Sequence, residues 1–136
     1  MASAHYNLGL QSFMAGTTIM LTDTIKVRLS RVSAYVFSQT HQFISSAAAA
    51  IGTDVTLGTK AINGGGAADP GCFDAADATF TAVTAGAAID SLIIYKDTGV
   101  AGTSPLIAYI DGFSVTPNGG DITLQWQNSV PWIFKV

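Results

Sequence analysis

Residues 92–110 read LIIYKDTGVAGTSPLIAYI, two apolar runs joined by a stretch rich in Gly, Thr and Ser. Leu92-Ile93-Ile94-Tyr95 and Leu106-Ile107-Ala108-Tyr109-Ile110 are apolar at successive positions, so each strand has both faces covered, as at the centre of a sheet. The linker from Lys96 to Pro105 predicts a hairpin loop between them.

Outward from this pair the pattern changes to alternation. Ile25, Val27 and Leu29 alternate with Lys26, Arg28 and Ser30, which predicts a strand with one face in the core and one in water. Ile122, Leu124 and Trp126 alternate with Thr123 and Gln125 behind the turn residues Asn118-Gly119-Gly120-Asp121, predicting a second such strand. Further short strands are expected at Thr18–Leu21, Ala34–Phe37, Val55–Ile62, Thr79–Val83 and Trp132–Lys135. Many short strands at this spacing predict an all-β chain, a single β-sandwich or jelly-roll-like domain over residues 18–136.

The segment 1–17, with Tyr6, Leu8, Leu10 and Phe13 among Gly9 and Gly16, is expected to be an N-terminal arm or an edge strand. Thr40–Ile51 (THQFISSAAAAI) holds either one short helix, favoured by its alanines, or an irregular loop. Ala61–Ala76 (AINGGGAADPGCFDAA) reads as a long surface loop or a partly disordered segment.

Composition bears on function more than any motif does. Charged residues are 11% of the 136, against roughly 25% in an average globular chain. Hydrophobic residues make up 49%, and mean hydropathy is +0.39. A surface built largely from Ala, Gly, Ser and Thr points to a chain that covers part of itself against partners, with a neutral monomeric β domain as the alternative. All nine acidic residues are Asp and none is Glu, which suits turns and strand ends and disfavours long helices.

The six cations, Lys26, Arg28, Arg31, Lys60, Lys96 and Lys135, are scattered singly and the net charge is −3. With no basic stripe, nucleic-acid binding is not expected. One cysteine, Cys72, excludes a disulfide within the chain. The start MASAHYNLGL lacks signal-peptide features and no apolar run approaches the roughly 20 residues of a membrane span, so no membrane association is expected, and the chain is expected to be cytosolic when made.

The residues able to carry chemistry do not assemble into a pattern. His5 and His41 stand apart from any nucleophile and orienting carboxylate, and Cys72 lies in a loop with no activating cation nearby in sequence. Asp69, Asp74 and Asp77, and the pair Asp111 and Asp121, are oxygen ligands in number but do not follow a calcium-loop spacing, and read better as turn aspartates. The aromatics Tyr95, Tyr109, Phe113, Trp126, Trp132 and Phe134 offer either a sugar-stacking platform or core, and at strand spacing core is favoured. The expectation is no enzyme, no catalytic, cofactor-binding or metal-ligating residue, and no cofactor.

Several stretches carry a resemblance. The strands LIIYKDTG (92–99) and PLIAYID (105–111), the hairpin TPNGGDITLQW (116–126), and KVRLSR (26–31) with AYVFSQTHQFIS (34–45) resemble a family of small tailed-bacteriophage virion proteins. The likeness covers about half the chain, chiefly its C-terminal half, and departs from the family pattern around Gly64–Gly71 and at the N-terminus. It implies a capsid decoration or cement protein that stabilises the phage head by bridging major capsid proteins. That role places it in the virion capsid, reached from the host cytoplasm during assembly, with self-association into a homo-oligomer. A tail or fibre component and a carbohydrate-binding β-sandwich module are the alternatives.

Overall fold

The computed structural model describes residues 2–62, 71–126 and 133–135. Its backbone is a five-stranded antiparallel sheet in the order β1-β8-β7-β2-β3, formed by β1 (Ala2–His5), β2 (Ile25–Ser30), β3 (Ile51–Thr56), β7 (Ile89–Lys96) and β8 (Leu106–Val115). Two small sheets face it. One runs in the order β10-β5-β4, from β4 (Ala61–Ile62), β5 (Cys72–Asp74) and β10 (Phe134–Lys135), and the other pairs β6 (Ala78–Phe80) with β9 (Ile122–Leu124). The chain is therefore all-β with one short helix, α1 (Asn7–Ala15), and its layers are unequal.

The central strands lie where double-sided hydrophobicity places them. Leu92, Ile93 and Ile94 on β7 and Leu106, Ile107 and Ala108 on β8 are wholly buried. On one face Ile25, Val27, Leu29, Leu92, Ile94, Ala108 and Ile110 pack against Phe73, Ala78, Phe80, Trp126 and Phe134 from the small sheets. Each large apolar side chain so buried contributes about 1.5–3 kcal/mol.

On the opposite face β2 alternates as its sequence predicts, with Lys26 and Arg28 partly exposed, whereas the same face of β7 and β8 is covered. The irregular segment 31–50 lies across it, delivering Tyr35, Phe37, Ile44 and Ala47 onto Ile93, Tyr95, Leu106 and Tyr109, with Tyr6 from the N-terminal side. Main-chain bonds stitch this cover down: Asn7 N–H to Gln39 O, Leu106 N–H to Gln42 O and Ile44 N–H to Ser104 O. Ala34–Phe37, expected as a strand, is a turn closed by the Ala34 and Tyr35 N–H groups on Arg31 O. Thr40–Ile51 forms only a 3-10 turn over Ile44–Ala47 before β3 begins.

Thr18–Leu21 is likewise a turn. Its Ile19 N–H donates to the Asp23 carboxylate at 2.7 Å while Asp23 N–H returns to Ile19 O. The N-terminal segment is both an edge strand, β1 paired to β8, and a helix. No side chain caps the start of α1, whereas Gly16 at φ 74° closes its end. Gly9 lets α1 lie on the sheet, because a Cβ there would stand 2.6 Å from Leu106 O. The predicted loop 61–76 is a hairpin at its base, β4 pairing with β5, so Cys72 is a buried strand residue. Most of the Gly-rich stretch, and Trp132, fall outside the described residues.

Candidate functional site

Two features outside the apolar core invite a functional reading: a buried polar network beneath the cover, and the surface the protein shows to its surroundings.

The network begins at an irregularity in β3. Val27 is opposite Val55 and Leu29 opposite Ile51, so three residues of β3 face Arg28 alone. Gly52 takes the extra bend at φ 70°, and the bulge turns Asp54 towards Arg28. The guanidinium Nη2 and Nε donate to the Asp54 carboxylate at 2.8 and 3.1 Å, and Nη1 donates to Ala47 O at 2.8 Å. The Tyr95 hydroxyl donates to the same carboxylate at 2.5 Å, and Arg28 lies 5.7 Å over the Tyr95 ring. Burial, then the bond to Asp54, holds the Tyr95 hydroxyl far above its ordinary pKa.

Next to it, Tyr6 and Tyr35 join their hydroxyls at 2.9 Å, and Tyr35 meets His41 Nδ1 at 2.8 Å. Phe37 stacks on Tyr109 at 4.9 Å between ring centres. Burial raises the pKa of Tyr6 strongly and those of Tyr35 and Tyr109 as well. These groups tie one another together and fasten the cover to the sheet.

The outward surface is defined by what its charges do. Lys26 pairs with Asp97 at 3.0 Å, Arg28 with Asp54 and Lys96 with Asp23 at 3.2 Å. Lys60 donates to Asp23 O, and Arg31 donates to Ala87 O at 3.0 Å. All five cations whose side chains are described thus hold internal partners. Asp77, Asp90 and Asp121 accept backbone N–H groups of Trp126, Val32 and Ala82.

Against this quiet background the described residues expose eight large apolar side chains, of which Leu8, Met14, Ile19 and Leu21 belong to α1 and the turn after it. Met14 is the most open, at 85%. Beside them Leu8, Gln11, Ala15, Thr17, Phe43 and Pro105 line a shallow apolar cleft of about 280 Å³. Sequence reading missed this feature, because an uncapped helix with an internal glycine leaves little signal.

The residues singled out for chemistry scatter. His5 packs edge-on against Phe134 at 5.1 Å, His41 serves Tyr35, and Cys72 is enclosed. Asp74 sits on β5 opposite Ala61, Asp111 on β8 opposite Ser91, and Asp77 and Asp121 hold turns, while Asp69 lies outside the described residues. Among the described residues no three His, Cys or Asp side chains gather at metal-holding distance. No helix among them is long and apolar enough to cross a membrane.

Of the aromatics, Tyr95, Tyr109 and Phe134 are core, Phe113 is half-buried, and Trp126 is 6% exposed with its indole N–H on Ala76 O at 3.1 Å. Trp126 therefore offers no flat face for stacking. No protein-family model matches this chain, and no curated protein matches it as a relative.

Proposed function

We propose that the chain is a structural virion protein, a decoration or cement protein that stabilises a phage capsid by bridging major capsid proteins. The observation that carries this reading is the surface: the cations whose side chains are described are committed to internal partners, and large apolar side chains stand out along residues 8–21. Cations already hydrogen-bonded or ion-paired within the fold lower the desolvation cost of covering that surface, and the exposed Leu8, Met14, Ile19 and Leu21 provide apolar area to cover. A homo-oligomer follows the same logic, since small contacts are multiplied by symmetry. The resemblance of the strands at 92–111 to tailed-phage virion proteins supports the assignment. Burial of Trp126 weighs against a carbohydrate-binding module.

The test compares particles made with and without this chain. Those lacking it assemble but release their genome at lower temperature. If the heat-release curves coincide while adsorption to host cells collapses, the capsid role fails and a tail or fibre component takes its place.

A further inference from the structure

The hydrogen bonds running from Tyr6 through Tyr35 to His41 have a direction set by counting hydrogens. Tyr6 is 0% exposed and Tyr35 4%, so the Tyr6 hydroxyl has no recourse to water and that of Tyr35 little, whereas His41 at the end of the chain is part-exposed. With Nδ1 unprotonated, Tyr6 donates to Tyr35 and Tyr35 donates to His41, two hydrogens for the two contacts of 2.9 and 2.8 Å. Protonation at Nδ1 brings a third hydrogen to the same two contacts. Either His41 donates and one tyrosine hydrogen is stranded in the apolar core beside Ile93 and Leu106, or the ring turns to solvent and Tyr35 loses its acceptor.

We propose that His41 is an acid-sensitive latch, fastening the cover 31–47 to the central sheet when neutral and loosening it when protonated. The groups packed around the chain offer no compensation. They are Tyr6 ahead of α1, Tyr35 on the cover and Tyr109 on β8, with Asp90 and Asp111 acting on Tyr109 from β7 and β8. None of the ion pairs among the described residues includes His41. The latch lies where a small loss counts, because residues 31–43 contain no helix or strand and pack by a few side chains. Its release uncovers Ile93, Tyr109 and Tyr6, a second apolar face available only in acid.

Amide hydrogen exchange tests this on the intact chain, read as protection factors so that the pH dependence of free-chain exchange cancels. Between roughly pH 8 and pH 5, protection of amides 33–41 falls about threefold or more while that of β7 holds; one proton allows at most about tenfold per pH unit. His41→Asn keeps an acceptor near the Nδ1 position and does not titrate, so its profile is flat. Tyr35→Phe, which removes the link, gives low protection that is also flat. A flat wild-type profile, or a decline shared by either variant, overturns the latch.

Discussion

The two faces of the central sheet are buried by different means. One is covered by strands and packs through apolar side chains, from Val27, Ile94 and Ala108 to Phe80 and Phe134, with the Trp126 indole N–H bonded to Ala76 O at its side. The other is covered by a segment without regular structure, and there Arg28, Asp54, Tyr95, Tyr6, Tyr35 and His41 bond to one another between the apolar contacts. A strand-built layer satisfies its own backbone and needs only shape from its side chains. A loop-built cover has fewer such bonds, so side-chain hydrogen bonds supply position as well as closure.

The contrast is broken most severely on the strand-covered face. Ile94→Asp places a charge with no partner at a wholly buried position between Val27 and Ala108, at a cost above about 4 kcal/mol, and the variant is expected to lack a cooperative thermal transition. A native-like melt would mean that this face tolerates polar groups as its opposite does.

Alkali attacks the other face. Burial raises the folded-state pKa of Tyr6, Tyr35, Tyr95 and Tyr109 above the ordinary value of 10.0. A raised folded pKa means stability is fully present below the unfolded value and is lost as pH rises beyond it, by up to about 1.4 kcal/mol per pH unit for each tyrosine. Tyrosine ionisation followed by absorbance should therefore coincide with unfolding above about pH 10 for these residues. A smooth titration of all tyrosines in the folded protein would contradict their burial.

Asp54→Ala strands Arg28 and the Tyr95 hydroxyl together, and is expected to cost about 2–3 kcal/mol by denaturant titration, less than a fully buried ion pair would. At the rim of the sheet, Lys26→Met separates a pair about one quarter exposed on each side and should cost under about 1 kcal/mol in the same measurement. Equal losses from the two variants would remove any special role for the network.

The same division governs what the sequence disclosed. Ile25–Ser30, the runs at 92–95 and 106–110, and the Asn118–Asp121 turn were legible because periodicity and turn chemistry act locally. Thr18–Leu21 and Ala34–Phe37 have strand-like composition but no neighbouring strand to pair with, so an Asp23 turn and an Arg31 turn claim them. Helix α1 was hidden by its missing cap and by Gly9, whose purpose lies in the approach to Leu106. The Arg28–Asp54 bond spans 26 residues and depends on a bulge at Gly52, which no local pattern announces. The apolar display at 8–21 became visible only once α1 was placed.

The central claim, that a surface poor in free cations and displaying apolar side chains along residues 8–21 serves to cover a capsid, is tested most directly by adding the purified protein to particles assembled without it and sedimenting the mixture. The account predicts that the protein pellets with the shells to a saturable level, and that raising salt from roughly 0.1 to 0.5 M leaves this binding intact because screened charges contribute little to it. Protein that remains in the supernatant at every concentration, or that pellets only at low salt, would contradict the claim.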